Sequence, residues 1–273
     1  MSKFPETEGC VAHVLSFTSP QEACRLSLIS HTFNEAANSD IVWNSFLPAD
    51  YQSIVSRSSD SSLLASRLPR KQMFLSLCDN PILIDDGKMS FALDKWTGKK
   101  CFMLSARDLK IIWGNTPEYW QWISEPDSRF TEVAELISVC WFEIRGKINT
   151  CMLSPATLYK AYLVFKLRRA YGFGGLPVEG IVGFAGSESS KRTIYLDNRT
   201  GSRREASVSN AENSENYPKK RGDGWLEIEL GEFLNEEGDH GELEISVLEV
   251  KRLNWKHGLV VRGIEIRPKT EHK

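Results

Sequence analysis

The sequence predicts an α+β chain in two unequal parts, a small all-helical head followed by an antiparallel β-sandwich. Three observations lead there. Apolar residues recur at helical spacing from Gly9 to about Tyr51. From about Lys100 onward they recur every second residue instead. Between the two lies a serine-rich stretch, Ser53 to Ser66, whose composition disfavours a packed core. We therefore divide the chain into a helical domain over 1–51, a linker and connector helix over 52–99, and a sandwich over 100–273.

In the head, Val11, Val14, Leu15 and Phe17 fall on one helix face at i, i+3, i+4 spacing. A break at Thr18 precedes a second helix with Ser19 as N-cap, Pro20 at the first helical position and Glu22 at the third, the pattern of a capping box. Cys24, Leu26, Leu28 and Ile29 continue it toward Ser30. A third helix over Thr32 to Ala37 presents Phe33, Ala36 and Ala37, and a fourth begins near Asp40 with Ile41, Val42, Trp43, Phe46 and Leu47. Four helices in so short a stretch make a core near the lower size limit, so part of this apolar surface is expected to await a partner. Leu68 to Asn80 predicts a further helix, with Met73, Phe74 and Leu77 on one side and Asn80-Pro81 ending it.

In the tail, Ala161, Leu163, Phe165 and Leu167 alternate with polar or outward positions, as do Leu226, Ile228 and Leu230. Cys140, Phe142 and Ile144 alternate with Trp141, Glu143 and Arg145, and Leu243, Ile245 and Val247 form another such row. Val260, Ile264 and Ile266 close the chain before Pro268. Short alternating strands joined by Gly, Asn and Asp turns indicate antiparallel sheets packed face to face. The charged, Ser- and Gly-rich span from Arg199 to Asp223 predicts a long loop, within which Pro218 to Arg221 is read as a solvated basic turn.

Composition narrows the function. A formal net charge of −2 and a pI of about 6.3 give no basic field for nucleic-acid phosphates. Neither an apolar leader nor a membrane-length apolar run is visible, so the expectation is a chain with no membrane partner, made in the cytosol and located in the cytoplasm or nucleus. Six cysteines without a Cys-x-x-Cys pair are read as buried, reduced thiols. No H-E-x-x-H, G-x-S-x-G or phosphate-loop spacing is present, so neither catalysis nor a cofactor is expected.

The sharpest local signal is aromatic: Trp113, Tyr119, Trp120 and Trp122 fall within ten residues, in a segment broken by Gly114, Asn115 and Pro117. Indole and phenol rings presented from a turn offer flat apolar faces with a polar tip, suited to sugar rings or to a protein partner. Trp225 and Trp255, beside alternating strands, are read as core.

Two resemblances follow from these residues. Val14-Leu15, Ser19-Pro20, the run from Glu22 to Leu28, Phe33, and Asp40 with Val42-Trp43 resemble an F-box, although Glu6-Thr7 stands where that family usually carries Leu-Pro. The resemblance implies docking on a Skp-type adaptor and thence a cullin scaffold of a ubiquitin ligase, with Val14, Leu15, Pro20, Leu26, Leu28 and Trp43 as adaptor-binding residues.

The tail resembles the phloem-lectin, or Nictaba-like, family through Leu104 to Leu109, Ile112 to Trp122, Glu132 to Leu136, Tyr162 to Lys166, Asp223 to Ile228, Leu230 to Phe233 and Gly263 to Pro268. That likeness implies a jelly-roll-like sandwich binding N-acetylglucosamine-containing glycans or glycoproteins without cleaving them. Trp113, Tyr119 and Trp120 would stack on the sugar, and Glu242 and Glu249 would accept its hydrogen bonds. The two acids stand seven residues apart, so one unbroken strand would point them to opposite faces. Only a bulge, or a loop position for Glu242, would let them meet one sugar.

Overall fold

The computed structural model describes residues 5–58, 68–184, 189–198, 215–238 and 241–269. Among these, 5–86 with 90–101 make one compact unit, and 87–89 with 102–269 make a second.

The first unit holds α1 (Pro5–Leu15), α2 (Pro20–Leu26), α3 (His31–Ala37), α4 (Asp40–Phe46), α5 (Tyr51–Ser56) and α6 (Arg70–Asp79), followed by β1 (Ile82–Ile84) and β2 (Met89–Leu93). Ser19 caps α2 by accepting from the Glu22 backbone N–H at 3.2 Å, but the reciprocal half of the capping box is missing. The Glu22 carboxylate accepts instead from Arg25 at 2.7 Å. Ser30 and Ser39 cap α3 and α4 in the same way. The core is aromatic: Trp43 lies edge-on to Phe46 at 5.5 Å and tilted against Phe74 of α6 at 5.2 Å. Its indole N–H donates to the Ala37 carbonyl at 2.7 Å.

The stretch expected to be a connector is therefore part of the helical core. Phe74 and Leu77 are fully buried, α5 buries Ile54 and Val55, and the Gly98 turn lies against Phe46 and Pro20. Part of the expected serine-rich linker, residues 59–66, lies outside the described residues; its start, Ser53 to Ser56, is helical.

The second unit is a sandwich of two antiparallel sheets, as the alternation requires. Its strands are β3 (Lys100–Ser105), β4 (Lys110–Ile111), β5 (Trp120–Ile123), β6 (Val133–Leu136), β7 (Phe142–Asn149), β8 (Thr157–Tyr171), β9 (Pro177–Phe184), β10 (Ser190–Tyr195), β11 (Lys219–Lys220), β12 (Leu226–Asn235), β13 (Glu242–Glu249) and β14 (His257–Pro268). One sheet runs β3-β14-β8-β12-β11, with β6 pairing β14 and β5 pairing β6. The other runs β10-β9-β13-β7-β4.

Inward rows from β7 (Phe142, Ile144, Ile148) and β13 (Leu243, Ile245, Val247) face those of β8, β12 and β14, each buried side chain stabilising by roughly 1.5–3 kcal/mol. Where the sheets come closest only glycine fits. A Cβ on Gly146 would lie 2.9 Å from Leu104 and Leu109, and one on Gly180 would lie 2.8 Å from the Leu230 carbonyl oxygen.

The cysteines correct one expectation. None is fully buried: Cys10, Cys24 and Cys151 are exposed and the other three half-buried, all as free thiols. Burial is still enough to push the Cys78 thiol up to about 12. Most of the span from Arg199 to Asp223 that was read as a loop, residues 199–214, lies outside the described residues, and Pro218 to Arg221 includes the short exposed strand β11.

Candidate functional site

One end of the sandwich gathers exposed aromatic side chains from several loops. The first is Trp113, two residues past β4. It adopts the left-handed backbone (φ 58°) in a turn closed by Gly114 N–H to the Ile111 carbonyl at 3.0 Å and Thr116 N–H to the Trp113 carbonyl at 2.9 Å. Its ring is 44% exposed and tilts on Tyr119 at 5.4 Å.

Register brings a second indole beside it. β4 pairs β7 as Lys110 with Arg145 and Ile111 with Ile144, and Ile112 N–H donates to the Glu143 carbonyl at 3.1 Å. Trp113 thus reaches the start of β7, where exposed Trp141 precedes Phe142. From β8 the same end receives exposed Tyr171, stacked on His257, and from the β13–β14 loop exposed Leu253 and Trp255.

A polar groove runs from this end along the outer face of β7 and β13. A concavity of about 540 Å3 is lined by Asp108, Lys110, Glu143, Arg145, Lys147 and Glu244. Alternation explains the lining: Phe142, Ile144 and Ile148 point inward, so Glu143, Arg145 and Lys147 point out. The charges are ordered by one another. Arg145 donates to Glu143 at 2.7 Å and to Glu244 at 2.5 Å, Lys147 donates to Glu242 at 2.5 Å, and the Trp141 indole N–H donates to Glu143 at 2.8 Å. Burial alone would raise the Glu143 carboxyl, but Arg145 and the Trp141 N–H outweigh it and hold it below its ordinary value. Fixed donors and acceptors beside flat rings match a polyhydroxyl ligand. No group of three or more His, Cys, Asp or Glu among the described residues is placed to hold a metal.

The residues expected from sequence separate. Trp113 and Tyr119 belong to the aromatic end. Trp120 does not: its side chain is 2% exposed, stacked over Phe142 at 6.4 Å, because β5 turns it inward and Gln121 outward. Its expected role as a stacking surface is corrected to a core role.

Trp122 braces the turn, its indole N–H donating to Gly114 at 2.9 Å and its ring lying 3.7 Å under the Arg107 guanidinium. Glu242 is exposed at the rim of the groove. Glu249 is buried on the other face of β13 and paired with fully buried Lys256 at 2.5 Å, so it does not present a free acid to a sugar. β13 pairs both neighbours without a register shift, so neither bulge nor loop reconciles the two acids. They stand about 23 Å apart along the strand. Trp225 is core as expected, whereas Trp255 is exposed, contrary to expectation.

Sequence reasoning placed Trp141, Glu143 and Arg145 on an outward row without recognising a site. The missing signal was the pairing of β4 with β7, which sets Trp113 beside that row.

In the helical unit, Val14 and Leu28 are well exposed and Leu26 is half-buried. Leu15, Pro20 and Trp43 are sealed inside, so their part is to hold the unit together rather than to offer contact. Phe17 and Ile29, expected on apolar helix faces but not among the adaptor-binding residues, are exposed as well.

Residues 99–268 match the phloem protein 2 family. F-box protein At2g02240 of Arabidopsis thaliana is 51% identical over 265 residues, covering 96% of this chain and 78% of its own. F-box protein PP2-B10 of the same plant is 48% identical over 268 residues, covering 97% and 93%. A GH26-CBM35 mannanase of Podospora anserina overlaps 63% of this chain and 28% of its own, at TM-score 0.33 and 11% identity, a likeness too slight to carry an argument. A match over well over half the chain, together with relatives near half identical along nearly its whole length, shows that the chain belongs to the plant F-box proteins of the phloem protein 2 family.

Proposed function

We propose that this chain is a non-catalytic substrate receptor of a Skp-cullin-F-box ubiquitin ligase, whose sandwich captures N-acetylglucosamine-containing glycans or glycoproteins. One observation carries the reading. The exposed large apolar side chains collect mainly in two places, Val14, Phe17, Leu28 and Ile29 in the helical unit and Trp113, Trp141, Tyr171, Leu253 and Trp255 at one end of the sandwich. Apolar surface gathered in this way marks binding sites.

The helices supply an adaptor face and the ubiquitin chemistry takes place on other subunits. At the other site, Trp113 and Trp141 stack on sugar rings, while Arg145, Lys147 and the carboxylates of the groove bond to hydroxyl and acetamido groups. Bonds of this kind discriminate between epimers, whereas ring stacking tolerates them.

The test is titration calorimetry of chitin oligomers against wild type, Trp113→Ala and Trp141→Ala. Each substitution is expected to weaken binding at least about tenfold, or roughly 1.4 kcal/mol, with no change in fold. A folded wild type that binds no glycan would end the carbohydrate reading. It would leave the second one, a protein target gripped without sugar, which the burial of Trp120 and Glu249 favours.

A further inference from the structure

We infer that the β13–β14 loop, residues 250–256, is a preformed binding finger whose Trp255 contacts the target, and that buried Glu249 and Lys256 clamp it in place. Glu249 thus acts by positioning rather than by touching the ligand. The finger's ligand class rests on the carbohydrate reading above; the clamp does not.

The loop ends where it begins. Lys256 is fully buried; its ammonium donates to the Asn254 carbonyl at 2.7 Å and to the Cys140 carbonyl at 2.7 Å, and it forms an ion pair with the Glu249 carboxylate at 2.5 Å. Two hydrogen bonds and one ion pair thus hold the cation out of contact with solvent. The other Glu249 oxygen accepts the Arg252 backbone N–H at 2.9 Å. Val139 and Lys256 exchange backbone hydrogen bonds at 3.1 and 2.8 Å, which ties the loop to the segment leading into Trp141. On the remaining side the backbone of Trp255 lies against Gly172 (φ 81°), where any Cβ would collide with the Trp255 carbonyl oxygen.

What this frame presents is apolar. Trp255 is 55% exposed, and Leu253, held in the left-handed region at φ 55°, is 48% exposed. A large ring held out on a rigid loop binds with little loss of conformational entropy. The Val139–Lys256 bridge sets it beside Trp141, so it extends the aromatic end already described. Burying an ion pair to fix so short a connection is costly, and removing either partner strands the other charge in the interior.

The experiment compares wild type with Trp255→Ala, Glu249→Gln and Lys256→Met by hydrogen exchange across 250–256 and by titration with a chitin oligomer. Trp255→Ala should keep the loop protected and lose at least about tenfold in affinity. Glu249→Gln and Lys256→Met should both speed exchange in the loop and lose affinity to a similar extent, with the double variant no worse than either single one. Lost binding in Glu249→Gln with Lys256→Met binding normally would overturn the clamp and make Glu249 a direct ligand. Unchanged binding in Trp255→Ala would overturn the finger. Should Lys256→Met not fold, Glu249→Gln and Trp255→Ala decide the matter. A wild type that binds no oligomer refutes the sugar as the finger's ligand, and the exchange data still judge the clamp.

Discussion

Trp113 and Trp120 stand seven positions apart in one aromatic segment and do opposite things. A left-handed turn carries the first out to solvent, while strand alternation drives the second under Phe142. Truncating a buried indole removes its transfer energy and leaves a void, so Trp120→Ala should cost about 3–5 kcal/mol, whereas Trp113→Ala should stay within about 1 kcal/mol. Urea unfolding followed by the remaining tryptophans measures both; equal losses would contradict the burial. Sequence could establish that Trp120 and Gln121 face opposite ways but not which faces in, because period two has no absolute phase until a neighbouring strand supplies one. Trp255 was misread for a related reason. It flanks a strand, yet Gly172 and the Lys256 clamp hold its backbone in a loop that turns the ring outward, and neither contact is local in sequence.

At the level of elements, the helices were readable because their caps and spacing are local. Ser19 and Pro20 mark the start of α2, and the apolar row of Met73, Phe74 and Leu77 marks the buried side of α6. What the residues could not announce was that α6 completes the core around Trp43. That distinction governs how the adaptor face should be probed. Leu28, beyond α2, is 85% exposed, so Leu28→Asp should abolish co-purification with a Skp-type adaptor while leaving the helical circular dichroism intact. Leu15 has no exposure, and Leu15→Asp should unfold the unit through a buried, unpaired carboxylate. Retention of the adaptor by a folded Leu28→Asp protein would remove this stretch from the interface. The strands were as readable as the helices, since β7, β8, β12, β13 and β14 each carry the expected inward row, but their order across the sheets, and with it the groove, depends on pairings between residues far apart in the chain.

Across the whole molecule, carboxylates held below their ordinary values make stability depend on pH. Burial pushes Asp223, Glu249 and Glu265 upward, and Arg262, Lys256 and Arg221 respectively outweigh it, at 2.7, 2.5 and 2.6 Å. Each takes up its proton at lower pH in the folded chain than in the unfolded one. Their stabilisation is therefore fully present above the ordinary carboxylate range of about 4 to 4.5 and is lost as pH falls through the lower folded values. The urea midpoint of the sandwich should hold steady from pH 8 to about 6 and decline below about 5. A midpoint unchanged down to pH 3.5 would mean these pairs contribute nothing.

The aromatic packing of Trp43 on Phe74 has one more outcome, for anyone who wishes to separate the halves. Scissors applied at residue 51, where the local helical pattern fades, would strip α6 and the Gly98 turn from beneath Trp43 and Pro20 and leave a fragment with its largest rings bare to water. The compact helical unit extends to about residue 101.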